Sequence, residues 1–102
     1  MTCSEFEALA LSFPGTEKIP HFDRVAFKVS GKRIFATMLT KDLSANLKLP
    51  VEEQIEFCQL EENVYPVPNK WGDQGWTTFL LDQVDKGIII AALELAYKST
   101  RG

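Results

Sequence analysis

Residues 64–81 read VYPVPNKWGDQGWTTFLL, and this stretch decides the fold. Pro66 and Pro68 fix φ and interrupt regular structure. Gly72 and Gly75 bracket a tight polar turn, Gly-Asp-Gln-Gly. Trp76 to Leu81 then reads as a buried strand, rich in aromatic and β-branched residues and opening with Trp76 in the core. Trp71 lies before the turn in a polar loop and is expected to be partly exposed. Both tryptophans of the chain fall here.

Working outward, the segment after this strand is a helix capped by Asp82. Val84, Ile88, Ala91, Ala92 and Leu95 make its main stripe, widened by Ile89, Leu93 and Ala96, so it should lie across a sheet. Gly87 costs this helix about 1 kcal/mol relative to alanine, and Lys98–Gly102 should fray. Before the proline-rich loop, Pro50 opens a helix at its first position. Glu52 and Glu53 suit the start of that helix, and Val51, Ile55 and Cys58 form its apolar stripe, flanked by Phe57 and Leu60. Ser44–Leu49 alternates cleanly, with Ala45, Leu47 and Leu49 inward.

Arg24–Val29 and Arg33–Leu39 form a hairpin with Ser30-Gly31 as a two-residue turn. That register sets Phe27 opposite Ile34 and Lys28 opposite Arg33. Val25, Phe27, Ile34 and Ala36 then face the core, while Arg24, Lys28, Arg33, Phe35 and Thr37 face away. Thr16–His21 is a short edge strand or an extended arm, interrupted by Pro20. Thr2–Phe13 is a helix with the stripe Phe6, Leu9, Ala10 and Phe13, capped by Thr2 or Ser4 and ended by Pro14-Gly15.

The order helix, three or four strands, short helix, strand, long helix gives an α+β fold. Helices pack on one face of a mainly antiparallel sheet and leave the other face open. At 102 residues the chain is one domain, residues 1–102. No apolar run reaches the roughly 20 residues that span a bilayer, and no signal peptide is evident. Cys3 and Cys58 read as free thiols of a cytoplasmic protein.

Net charge is −3, but its distribution is uneven. Arg24 to Lys48 holds six bases and one acid, net +5, against net −8 elsewhere. Arg24, Lys28, Arg33 and Lys48, interleaved with Phe35, would make an open sheet face suited to phosphate and base contact. Lysines that only blunt exposed strands are the plainer reading. His21 is the single histidine, and no serine, cysteine or carboxylate is spaced to complete a triad with it. Cys58 falls on an apolar stripe among acids, which disfavours a thiolate. The run Glu52, Glu53, Glu56, Glu61 and Glu62 reads as a solvated helix face. The chain is therefore read as non-enzymatic, with no metal and no cofactor.

HFDRVAFKVSGKRIFATM (21–38), NLKLPVEEQ (46–54), YPVPNKWGDQGWTTFLLD (65–82) and AALELAY (91–97) together resemble the MmcQ/YjbR family, in order over almost the whole chain. The resemblance implies a CyaY-like fold and DNA binding through wing-like hairpins. Carried onto this chain, the wings are the turn Ser30–Arg33 and the loop Lys70–Gly75. The implied DNA-contacting residues are Arg24, Lys28, Lys32, Arg33 and Lys48, with Lys70 and Trp71 as a second contact. CyaY-like folds include iron-handling proteins, but the first helix here has only Glu5 and Glu7, and no iron site is expected. The expectation is a monomer that binds DNA with weak sequence specificity and does not bind membranes. A protein-interaction or small-ligand module using the same face is the alternative.

Overall fold

The computed structural model describes residues 1–102. It builds one antiparallel sheet of six strands in the order β1-β2-β3-β4-β6-β5. The strands are β1 Thr16–His21, β2 Arg24–Val29, β3 Ile34–Leu39, β4 Ser44–Lys48, β5 Val64–Pro66 and β6 Trp76–Leu80. The helices are α1 Cys3–Ser12, α2 Val51–Leu60, the single turn α3 Lys70–Asp73, and α4 Lys86–Arg101. The α+β class, with helices over one sheet face, is as the sequence implies. No helix is long and apolar enough to cross a membrane.

The core lies between the sheet and α1, α2 and α4. Phe6 of α1 meets Phe27 edge-on at 6.0 Å, and Phe57 of α2 meets Phe79 of β6 in the same way at 6.0 Å. Such offset aromatic pairs add to the burial of the rings. Ala45, Leu47 and Leu49 are buried as their alternation predicts. Thr2 caps α1 in a reciprocal capping box with Glu5.

Glu5 also joins α1 to the start of α4. Lys86 Nζ donates to its Oε2 at 2.8 Å, and the Thr2 backbone N–H donates to its Oε1 at 2.9 Å. The Lys86 hydrogen bond, followed by those from Thr2, lowers the Glu5 carboxyl from its ordinary 4.5 to about 2. A carboxylate whose folded value is depressed stabilises the fold above the unfolded value and loses that effect as pH falls toward the folded one. Melting temperatures of the wild type and Glu5→Gln should therefore differ most above pH 4.5 and converge as pH approaches 2. A gap that stayed constant over this window would show that the pair does nothing for stability.

The structure corrects several expectations. Lys32 N–H donates to Val29 O at 2.8 Å, which closes a β-turn with Ser30-Gly31 at its centre as expected, but β3 begins only at Ile34, so the whole connection is the longer Ser30–Arg33. Phe27 pairs with Ala36 and Lys28 with Ile34, which leaves Phe35 unopposed at a bulge. The extra residue turns Phe35 into the core, where its ring meets Phe13 at 6.5 Å and Tyr97 at 5.7 Å. Phe35 is fully buried, so it is not part of the basic face. Ile34 takes the position on the open side beside Lys28.

In α2, Val51, Ile55 and Leu60 are exposed. The buried side is instead made by Gln54, with Phe57 and Cys58 packed against the core. Pro50 occupies the N-cap position. The N-cap of α4 is Asp85, not Asp82, with its side chain accepting from Gly87 N–H at 3.0 Å. A Cβ at Gly87 would sit 3.0 Å from the capping oxygen, so any larger residue there makes the cap shift by a few tenths of an ångström. Ala91 is exposed, and the buried stripe runs through Ile89, Ala92, Leu93, Ala96 and Tyr97. The helix continues to Arg101. Tyr97 closes the core by donating its hydroxyl to Pro14 O at 2.7 Å.

Candidate functional site

Strand alternation places Lys28, Ile34, Lys48, Trp76, Thr37, Asn46 and Arg24 on the face away from the helices. Register fixes them: Lys28 pairs with Ile34, Thr37 with Asn46, Asn46 with Thr78, and Lys48 with Trp76. Trp76 is therefore not core, as the sequence suggests, but partly buried on the open face. The residues of β6 that do enter the core are Thr77 and Phe79, fully buried on the opposite side. An unbroken apolar run conceals this parity, because nothing in WTTFLL marks which alternate set is inward.

The polar loop carrying Trp71 is fixed over this face from behind. Gln54 Nε2, buried in α2, donates to Gly72 O at 2.9 Å and to Trp76 O at 3.2 Å. Asn69 caps α3 by accepting from Trp71 N–H at 2.8 Å. Leu49 N–H donates to Gly75 O at 3.0 Å, and Val67 N–H to Trp76 O at 3.0 Å. A buried amide bridging two carbonyls makes the loop part of the rigid body rather than a free arm. Trp71 itself stays half exposed, at 51 %.

Between loop and sheet lie two adjoining concavities that share Ile34, Trp71 and Trp76. The larger, about 730 Å³, is bordered by Lys28, Lys32, Arg33 and Lys48. The smaller, about 310 Å³, is bordered by His21, Arg24, Thr37, Asn46 and Val67. Six of the seven residues singled out in the sequence, Arg24, Lys28, Lys32, Arg33, Lys48 and Trp71, thus meet around one groove. Lys70 borders neither concavity, although it begins α3 next to Trp71.

The charges of this groove are nearly unopposed. Lys18, Lys86 and Lys98 are paired with carboxylates at 3.4, 2.8 and 2.8 Å. Of the six candidate bases only Lys28 has a carboxylate within reach, Glu17 at 4.0 Å, and Glu17 also accepts from Ser30 Oγ. Arg24 is distinct because its guanidinium is partly sunk into the sheet face. Burial lowers its pKa, against smaller opposing effects from Asp23 and Asp42. Its Nε donates to Thr37 Oγ1 at 2.9 Å, while its Nη2 is buried with no partner.

Sequence reasoning missed His21, Asn46 and Trp76 as groove residues, and it missed Phe22. Phe22 forms the tip of the β1–β2 turn with φ +61° and is 96 % exposed, its ring edge-on to His21 at 5.0 Å. A bulky residue with positive φ on a bare hairpin tip is a feature worth a functional question. The signal was available in His-Phe-Asp between two strands, where no apolar partner is spaced to cover the ring. Burial pushes up both the Cys3 and Cys58 thiols. No three His, Cys, Asp or Glu side chains converge to hold a metal ion.

Fold and face together define a small α+β domain that presents a basic, aromatic-lined groove on an open antiparallel sheet. Residues 11–99 match the family model YjbR, and the chain belongs to the YjbR family. No curated protein and no solved structure matches it.

Proposed function

We propose that this YjbR-family protein binds DNA through the open sheet face, with Lys28, Lys32, Arg33 and Lys48 on phosphates and Arg24, Trp71 and Trp76 beside the bases. The observation that carries this reading is the gathering of Arg24, Lys28, Lys32, Arg33 and Lys48 around one groove with a single long carboxylate contact, Lys28 to Glu17 at 4.0 Å, where Lys18, Lys86 and Lys98 each sit closer to a carboxylate. Unpaired bases retain their full attraction for a polyanion, and each phosphate neutralised releases counterions. The overall charge of −3 then limits affinity rather than forbidding binding. In this reading the protein is a cytoplasmic, non-enzymatic monomer whose DNA binding is weakly sequence-specific.

The test is a titration of labelled DNA at two salt concentrations. Micromolar binding at low salt is expected, weakening as salt rises. The double reversal Lys32→Glu/Arg33→Glu should flatten the log–log salt slope by about 2 and take binding out of the micromolar range. Both residues lie in an exposed turn, so the variant should melt like the wild type. Unchanged affinity in a folded variant would refute the proposal. A second reading, a protein-interaction or small-ligand module, is favoured by the apolar walls that Ile34, Val67 and the two tryptophans give the smaller concavity. It expects binding that barely responds to salt, so a steep slope removes it.

A further inference from the structure

The smaller concavity holds a feature that phosphate contact leaves unexplained. Arg24 borders a pocket walled by Trp71 and Trp76; its Nε is taken by Thr37 and its Nη2 is buried without a partner, which leaves Nη1, unbonded within the protein, as the donor a ligand can reach. A guanidinium whose donors lack protein partners at a pocket wall is suited to an acceptor that arrives from outside. The guanidinium can only donate. Asn46 stands on the same wall with its Oδ1 already accepting from Thr78 Oγ1 at 2.7 Å, and its amino group makes no hydrogen bond within the protein. The site therefore combines aromatic surface with a guanidinium and an amide amino group that can donate to an acceptor. At about 310 Å³ it is at the small end of ligand pockets, room for one ring system and not for a base pair in its stack.

We infer that this pocket takes a single unstacked keto base, thymine or guanine, from single-stranded DNA, with its ring against Trp71 and Trp76 and its keto oxygen on Arg24. The inference rests on the DNA-binding reading and narrows it to strands whose bases are free. A base inside a duplex must leave the stack to enter such a site, whereas in a single strand its faces are available to aromatic side chains. Thymine O4 and guanine O6 accept hydrogen bonds, where cytosine and adenine present an amino donor at the same edge. A donor-only guanidinium that meets this edge is satisfied by the keto group and not by the amino group. The strand's phosphates then fall on the adjoining concavity, which shares Ile34, Trp71 and Trp76 with this one and carries Lys28, Lys32, Arg33 and Lys48.

The experiment measures binding of oligothymidylate, oligodeoxycytidylate and a mixed-sequence duplex of equal length by fluorescence anisotropy. Intrinsic fluorescence provides a second readout, since both tryptophans of the chain border the site. Oligothymidylate should bind about tenfold more tightly than either of the others and quench the tryptophans. Trp71→Ala, at a half-exposed position, should remove the advantage of single strand over duplex. Arg24→Met should collapse the preference for thymine over cytosine. Lys32→Glu/Arg33→Glu should weaken all three nucleic acids together. Equal affinity for the three, with no response to Trp71→Ala, would overturn the base pocket. If the charge reversal still abolished binding in that case, the basic-face reading would survive its loss. Failure of every strand to bind at low salt would overturn both.

Discussion

Phe35→Ala is expected to destabilise the domain by about 3–5 kcal/mol, the range for deleting a buried aromatic ring from a packed core. The ring is fully buried and meets Phe13 and Tyr97 edge-on, while these two stack on each other at 4.6 Å with an interplanar angle of 11°. Three rings from the C-cap of α1, β3 and α4 thus form one cluster, and removing the Phe35 ring leaves a void that rigid strands cannot close. Small domains are stable by only about 5–15 kcal/mol, so the loss is a large fraction of the whole. Urea denaturation should show a lower midpoint with an unchanged slope, the mark of altered stability rather than altered compactness. Ile34→Ala, one position earlier but on the open face, should cost well under half as much. Equal effects at the two positions would mean that no bulge turns Phe35 inward.

That pair of residues also shows where sequence reading stops. The three longer helices, the Arg24–Leu39 hairpin and the parity of Ser44–Leu49 were legible, because apolar periodicity, turn glycines and strict alternation each leave a local mark. The basic stretch was legible from charge alone. The bulge was not, because a single unopposed residue changes the parity on one side of it without changing composition. Reading IFATML by simple alternation puts Phe35 outward and Ile34 inward, and the structure exchanges them. Trp76 failed for a related reason, since an amphipathic indole suits a half-covered open face as well as a core. Gln54 was hidden by the apolar residues around it. Its burial follows from two carbonyls that are distant in sequence, Gly72 O and Trp76 O, and no window over α2 could have contained them. Short β5 was masked by Pro66, which an edge strand tolerates. The groove is thus a tertiary product: its cations are contiguous in sequence, but its aromatic wall is brought to them by β6 and the loop before it.

How firmly that wall is held sets the second large effect, expected for Gly75→Ala. Gly75 has φ +106°, a conformation that residues with a Cβ rarely adopt, and a Cβ built there would collide with the carbonyl oxygen of Leu49. Leu49 cannot withdraw, because its own N–H donates to Gly75 O at 3.0 Å and its side chain is buried. Backbone strain alone costs about 1–3 kcal/mol. A collision between two main chains adds to it, so a loss of about 3 kcal/mol or more is expected. Gly31→Ala isolates the two contributions. Gly31 also has positive φ, +75°, but open space where the Cβ would go, so strain alone should appear there, about 1–2 kcal/mol. The larger loss at Gly75 should come with a functional signature, since the strand that begins at Trp76 and the turn that carries Trp71 meet at this residue. Tryptophan emission in the folded variant should shift to the red, and binding of oligothymidylate should fall more than binding of duplex. Should Gly75→Ala instead cost no more than Gly31→Ala, the loop must be able to move away from Leu49. The tryptophans would then be arms that close on a ligand rather than a preformed wall.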